Sequence, residues 1–350
     1  MKRRTALAGA LGIGIAATTP ASAQGRRRLS LKSVWSEEKP LHSASAQRVA
    51  AGIAALSGDA LQISLSFAAP GESPLSVFDS VSTGETDMYF GDEGDWAPRH
   101  PAFAFFGAVP FGLTAEENTA WRGFAGGQIY WDALSARFNI KALHAASTGP
   151  ARPGWFRRLP ERFAGTRLQA GGMWAETLRT LGAETFPVDA PASALRSGAI
   201  DGAFAGTLAQ DAADGLADTA TLVSPLLAAP DIPASLGINL DVWASLTDAE
   251  REIIQTCCAM EVGQSLSEAH ARNAATLKAL RAEGLQTRSM PQPLQSEIFE
   301  AALAHQQSIA DTDGESGDIY WSFNDLRRNV AKWTAESDGL YFSMRGRALS

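Results

Sequence analysis

The feature that most constrains this chain is a βαβαβ pattern written twice. In its first copy, Leu31 to Trp35 reads as a short strand, and Ala44 to Leu56 places Val49, Ile53 and Leu56 at helical spacing. Leu61, Ile63, Leu65 and Phe67 alternate with polar residues, as a half-buried strand requires. A turn containing Pro70, Gly71 and Pro74 leads into a helix from Leu75 to Val81, which Gly84 ends, and Thr86 to Phe90 starts the next strand. The second copy runs through a strand at Arg167–Ala170, a helix at Met173–Leu181, a strand at Glu184–Val188, a helix at Pro191–Arg196 and a strand at Ile200–Phe204. Gly84, Asp87 and Phe90 fall on Gly198, Asp201 and Phe204 without a gap. Each glycine follows the last apolar turn, where a left-handed residue closes a helix.

Two such units predict an α/β protein with two lobes, 28–149 and 150–238. The remainder, 239–350, supplies a return strand and C-terminal helices that pack on both lobes. In open parallel sheets a ligand sits beyond the carboxyl ends of the strands. Two sheets facing each other therefore make one cleft, which hinge motion can close. The segments after Phe90 and Phe204 would line its opposite walls.

The N-terminus reads as an export signal. Lys2, Arg3 and Arg4 precede an uncharged apolar run, and Ala21-Ser22-Ala23 gives an A-x-A cleavage site. The run is too short to span about 30 Å of hydrocarbon, so cleavage after Ala23 and a periplasmic location are expected, by either the Tat or the Sec route. Losing those three cations takes the formal charge from −8 to −11. An acidic body with 45% apolar residues has no basic stripe for nucleic acid. Cys257 and Cys258 are adjacent and cannot staple distant segments, so both are expected as apolar residues in a helix beside Ile253 and Ile254. No H-E-x-x-H, G-x-S-x-G or phosphate-cradling loop is present, which leaves an enzymatic reading without support. The five histidines show no metal-ligand spacing, and no metal or cofactor is expected. Asp311 to Glu315 resembles a calcium loop only superficially, since its glycine comes fourth rather than sixth.

Several stretches resemble the substrate-binding (DctP-type) proteins of TRAP (tripartite ATP-independent periplasmic) transporters, in the branch associated with oxo-acids and sugar acids. They are Val77-Phe78-Asp79-Ser80-Val81-Ser82-Thr83-Gly84 with Asp87-Met88, Trp96 with Pro101 to Phe106, and Ala108-Val109-Pro110-Phe111-Gly112. Gly126-Gly127 with Trp131-Asp132, Gly154-Trp155-Phe156-Arg157, Gly198-Ala199-Ile200-Asp201 and Ile319-Tyr320-Trp321-Ser322-Phe323 follow in order. The resemblance implies a type II-like bilobal periplasmic-binding fold, a small organic acid as ligand and delivery to a membrane permease. It also implies a C-terminal helix that can support a homodimer, for which Tyr320, Trp321, Phe323, Trp333 and Tyr341 offer apolar positions.

The departures fall where that family binds its ligand. Its second-lobe arginine, which forks a carboxylate, matches Gln169. Arginine offers a permanent planar charge, glutamine one neutral amide. A charged hydrogen bond is worth about 1.5–3 kcal/mol, so this change alone should cost a carboxylate ligand roughly ten- to a hundredfold. A family glutamine matches Ala151, with Arg152 next to it; a Glu-Trp pair matches Phe204-Ala205; and a His-Glu-Pro-Gly segment whose glutamate helps hold a metal matches Ala228-Ala229-Pro230-Asp231. The usual anion-and-metal pocket is thus dismantled, and a diverged sensing or scavenging module with a non-carboxylate ligand stands as the alternative function.

Six residues are the candidate ligand contacts: Gln169, Arg152, Trp96, Phe204, Asp95 and Trp155. Gln169 owes its place to the strand register. Arg152 either restores the missing arginine from a neighbouring position or lies at the surface between Pro150 and Pro153. Asp95, with Asp92 and Glu93, forms either a negative cleft wall or a solvated loop. Trp96, Trp155 and Phe204 are either apolar walls or core.

Overall fold

The computed structural model describes residues 26–349, except Glu38, Pro70, Asp189 and Thr221. The expected export segment lies outside them. In chain order the strands are β1 (Arg27–Ser33), β2 (Leu61–Phe67), β3 (Met88–Gly91), β4 (Ile140–Ser147), β5 (Ala151–Phe156) and β6 (Arg167–Gln169). They continue as β7 (Glu184–Phe186), β8 (Gly202–Phe204), β9 (Leu222–Ala229), β10 (Pro233–Asn239) and β11 (Gln286–Thr287). One sheet has the order β2-β1-β3-β10-β4, the other β11-β9-β5-β8-β6-β7.

The repeat is realised as one topology used twice. β2-β1-β3 and β7-β6-β8 are parallel triplets, and each is extended by an antiparallel strand that arrives from the other lobe, β10 in the first sheet and β5 in the second. Gly84 and Gly198 both adopt the left-handed conformation, at φ +80° and +78°. The aspartates three residues later do the same work in both copies. Asp87 Oδ2 accepts the Ser30 backbone N–H of β1 at 2.7 Å, and Asp201 Oδ2 accepts that of Arg167 in β6 at 2.8 Å. Each carboxylate fixes the third strand of its unit against the first.

Two boundaries differ from those expected. β1 begins at Arg27, four residues early: buried Leu29, Leu31 and Ser33 alternate with Arg28, Ser30 and Lys32, and Arg27 continues the register by pairing with Leu61 of β2. The strand that returns to the first sheet is Pro233–Asn239, ahead of the expected start at 239. Pro233 and Gly237 obscure its strand pattern in the sequence.

A helix of 35 residues, Asp248–Ala282, opens with a capping box formed by Thr247 and Glu250. At 1.5 Å per residue it is about 52 Å long and touches both lobes. Arg48 Nη2 in the first-lobe helix Pro40–Leu56 bonds Glu261 at 2.6 Å, and Asn273 accepts the Ala209 backbone N–H at 3.0 Å. Cys257 and Cys258 are free thiols buried on its inner face. The helix Gln292–Ala310 follows, and Asp313 caps the helix Gly314–Glu336 by accepting the Ser316 N–H, so the calcium-like stretch is a helix-capping turn. Among the described residues no helix is long and apolar enough to cross a membrane.

β10 fits between β3 and β4 only because it carries Gly237. A Cβ there would lie 2.0 Å from Cζ of Tyr89 on β3. Overpacking of a closed core typically costs about 1–3 kcal/mol, and Gly237→Ala should destabilise by about 3 kcal/mol, read as a lowered urea midpoint at unchanged slope. An unchanged midpoint would mean that the tyrosine ring swings aside freely.

Candidate functional site

Among the described residues the chain passes twice directly from a strand of one sheet to a strand of the other, and it returns to the second sheet at β11 through the helix Asp248–Ala282. β4 passes into β5 through Thr148, Gly149 and Pro150, and β9 passes into β10 through Pro230, Asp231 and Ile232. Asp231, which is 1% exposed, ties the two crossings together. Its Oδ1 accepts the Gly149 N–H at 3.0 Å, and its Oδ2 accepts the Ser147 hydroxyl at 3.0 Å and the Asn118 amide at 3.3 Å. The Ile232 N–H donates back to Thr148 Oγ1 at 3.1 Å.

Arg152 lies two residues beyond the first crossing. Its backbone is left-handed, at φ +55°, a conformation that side-chain-bearing residues adopt rarely. Its N–H donates to the Gly206 carbonyl at 2.6 Å, and the Gly206 N–H in turn donates to buried Asp211 at 2.7 Å. From this fixed backbone the guanidinium reaches both lobes. Nη1 donates to the Gly171 carbonyl at 3.2 Å, in the turn that follows Gln169, and Nη2 stands 3.8 Å from Oδ2 of Asp92, just beyond β3. The lobes also meet at the Lys39–Asp214 ion pair, 2.7 Å, and through Met173, which packs in the first-lobe core.

The first-lobe wall is a short turn, Glu93–Trp96, that Asp92 caps by accepting the Gly94 N–H at 2.9 Å. It is no solvated loop, since Asp92 and Glu93 are buried. Glu93 is fully engaged: Oε1 accepts Tyr89 at 2.7 Å, Trp96 Nε1 at 3.2 Å and Ser235 at 2.5 Å, and Oε2 accepts Trp131 Nε1 at 2.9 Å. Asp95 is half-buried. Its carboxyl is pushed up to about 7, first by burial and then by the negative charge of Asp92, against the pull of Arg152.

Arg122, in the helix Ala115–Phe124, is a further cation at this place and was not among the expected contacts. It is buried, stands 4.7 Å from the Trp131 ring centroid and donates to the Phe106 carbonyl at 2.7 Å, while Nε and Nη1 have no protein partner. Burial lowers it to about 10, opposed by the charges of Asp231, Glu93 and Asp92. Its only mark in the sequence is a shared helical face with Asn118, one turn earlier. His42 also belongs here. It stacks on Trp35 at 4.1 Å, and burial, with the charges of Lys39 and Arg152, pushes it down to about 4.

Of the six candidates, the structure brings Arg152, Asp95 and the turn after Gln169 together where the lobes meet. Gln169 is half-buried, and its Oε1 has no protein partner. The three aromatics lie in cores. Trp96 packs against Phe78 and Tyr89 in the first lobe, both at 5.0 Å, and Phe204 packs against Phe156 and Trp174 in the second, at 5.6 and 5.3 Å. Trp155 packs elsewhere in the second lobe, and its Nε1 donates to Asp211 at 2.7 Å.

Asp95 has a measurable consequence. A carboxyl whose folded value is raised takes up a proton on folding between its ordinary value near 4 and about 7, so stability falls as pH rises through that window. Asp95→Asn removes that loss. Urea unfolding should show the variant gaining on the parent between about pH 3 and about pH 8, with little difference at the lower value. A pH-independent difference would show that Asp95 titrates normally.

The model of the bacterial extracellular solute-binding proteins, family 7 (DctP), matches residues 31–313. A monocarboxylate 2-oxoacid-binding periplasmic protein of Nostoc sp. is 27% identical over 277 residues, covering 76% of this chain and 75% of that protein. Among solved structures, a TRAP periplasmic solute-binding protein of Pseudoalteromonas atlantica with bound sodium and pyruvate superposes with a TM-score of 0.86 at 24% identity, over 91% of this chain and 99% of that one. One from Colwellia psychrerythraea with bound calcium and pyruvate gives 0.86 at 23%, with the same coverage. One from Bordetella bronchiseptica with calcium and picolinate gives 0.86 at 20%, over 92% and 98%. At these identities the structures speak for the bilobal fold, whereas the family match spans most of the sequence. This chain belongs to family 7 of the bacterial extracellular solute-binding proteins.

Proposed function

We propose that the protein is a non-catalytic periplasmic receptor. It captures a small organic acid between its lobes and delivers it to a TRAP-type membrane permease. The observation that carries this reading is Arg152, a permanent cation that touches both lobes at once, through Gly171 in the second and Asp92 in the first. A ligand carboxylate bound by it would favour the closed arrangement over the open one, and such differential binding is what drives closure. Relatives support the class of ligand, since the Nostoc protein is named a monocarboxylate 2-oxoacid-binding protein and the Pseudoalteromonas and Colwellia structures hold pyruvate. The A-x-A site at Ala21–Ala23 supports export and cleavage after Ala23. The crossings at 148–150 and 230–232 serve as hinges between lobes drawn at 28–149 and 150–238.

Calorimetry of the mature protein against pyruvate, lactate, picolinate and a set of amines tests the reading. At least one acid should bind, and Arg152→Ala should weaken it about ten- to a hundredfold, the worth of one charged hydrogen bond. Binding confined to amines, or acid binding that survives the substitution, overturns it. Delivery is tested by uptake: deletion of the gene should abolish import of the bound acid, and unaffected import removes the permease from the account.

A homodimer through the last helices belongs to the same proposal. Trp333 and Tyr341 are 69% and 59% exposed there, whereas Tyr320 and Phe323 are buried within the chain. Sedimentation should give a dimer that Trp333→Glu dissociates; a parent that is monomeric at all concentrations excludes it.

A further inference from the structure

We propose that this protein holds its ligand's carboxylate without a metal ion, the guanidinium of Arg152 supplying the positive charge that sodium or calcium supplies in the similar structures. The inference rests on the organic-acid reading above and goes beyond it. In those structures the acid is accompanied by sodium in one case and calcium in two. Calcium needs six to eight converging oxygen donors, and sodium is likewise a hard cation held by oxygen. The residues of this chain do not fit such an ion.

Among the described residues no group of three or more acidic, histidine or cysteine side chains could hold a metal. The positions that the resemblance assigns to polar donors have become apolar and pack together. Ala151 and Ala229 are direct register partners across β5 and β9, both buried, and with Ala108 and Ile232 they form a small apolar cluster. Phe204, at the Glu-Trp position, turns into the second-lobe core. Of the carboxylates that remain nearby, Asp92, Glu93 and Asp231 are held by donors, which leaves Asp95 as a single carboxylate where calcium needs six to eight converging oxygens. Both oxygens of Asp231 accept from Ser147, Gly149 and Asn118, both oxygens of Glu93 accept from its own lobe and β10, and Asp92 Oδ1 accepts from Gly94. A carboxylate oriented by N–H and O–H donors has already been balanced without a metal.

Positive charge stands at the same place. Arg152 and Arg122 both act on Asp92, and either would repel an incoming cation. Arg152 uses Nη1 on Gly171 and holds Asp92 only at 3.8 Å, so guanidinium donors remain for a planar carboxylate, which guanidinium recognises in a forked geometry. The conformation of its backbone points the same way. A left-handed arginine inside a strand is costly and is retained where the surroundings over-determine it, here through the bonded sequence Arg152, Gly206 and Asp211.

The test measures acid binding at fixed ionic strength, since arginine–carboxylate attraction is itself screened by salt. The mature protein is dialysed against EDTA in a sodium-free choline buffer. It is then titrated with pyruvate, lactate and picolinate in that buffer, with millimolar calcium chloride, or with sodium chloride replacing choline. The expected result is the same affinity in all three buffers for whichever acid binds, and no rise in melting temperature from calcium chloride alone. A loss of affinity of about tenfold or more in the cation-free buffer, or thermal stabilisation by calcium alone, overturns the inference and leaves the organic-acid reading standing. Absence of acid binding in every buffer overturns both. Arg152→Gln, which keeps an amide donor and removes the charge, separates charge from shape. It should weaken binding equally in all buffers, and binding restored by calcium would show that a metal site survives beneath the arginine.

Discussion

The structure depends on one buried carboxylate at the place where the chain crosses itself. Two lobes built from separate sheets are joined by only two strand-to-strand passages, and Asp231 on the second accepts hydrogen bonds from Ser147 and Gly149 on the first. Burial raises this carboxyl to about 6, so the site is expensive for a charge. It is tolerated because three donors and the field of Arg122 compensate it. Removing the carboxylate would leave the Gly149 N–H without a partner in the interior, at a cost of about 1–3 kcal/mol, and take one bond each from Ser147 and Asn118. The carboxylate therefore does more than hold. It keeps the two crossings side by side, so that bending is confined to a few residues and Arg152 emerges from a fixed origin.

Above that bracket, the cleft is a problem of charge in a dry place. Asp92, Glu93, Asp95 and Asp231 would repel one another if all were ionised and unpaired. Glu93 is neutralised by four donors from its own lobe and β10, and acts as a keystone of the first-lobe core. Asp92 is shared between two guanidinium groups, while Asp95, left with the least support, carries a value near 7. Closing the lobes removes water from this cluster and strengthens every remaining attraction. On the proposed reading, a ligand carboxylate at Arg152 would compete with Asp92 for the same guanidinium, so that occupancy of the cleft would be felt in the first-lobe wall.

Much of the fold could be read in the sequence because it rests on local rules. The period of the apolar residues and the left-handed glycines at Gly84 and Gly198 place the repeated strands and helices to within a few residues. The equivalence of Asp87 and Asp201 extends to the hydrogen bond each makes. The returning strand is less legible, since β10 lies within 150–238 yet pairs in the first-lobe sheet, and nothing local says so. The site was less legible still. Glu93 reads as part of an acidic loop because its partners Trp131 and Ser235 lie 38 and 142 residues away. Trp96, Trp155 and Phe204 suit core and cleft wall equally by residue type, and only packing separates the two. Arg122 sits in a helix with other polar residues and becomes notable only when buried.

Arg152 shows why a recognition residue cannot simply move along a strand. Neighbouring residues in a strand point to opposite faces, so a donor shifted from 151 to 152 should turn away from the surface that Ala151 shares with Ala108, Ala229 and Ile232. A one-residue shift in a regular strand therefore exchanges inside for outside. Here the strand is not regular. Arg152 has a positive φ, and the register of β5 against β9 slips between Pro153 and Gly154. That local distortion re-aims the side chain toward Gly171 and Asp92, while β5 beyond it rejoins β8 and β9 in normal pairing. The glycine at 154 makes the slip feasible, because a Cβ there would lie 2.7 Å from Phe156 and 2.8 Å from Phe204. The chain thus keeps its sheet and aims Arg152 at Gly171 and Asp92 at the expense of one strained residue, and the bond from Arg152 to Gly206, braced by Asp211, holds that strain in place.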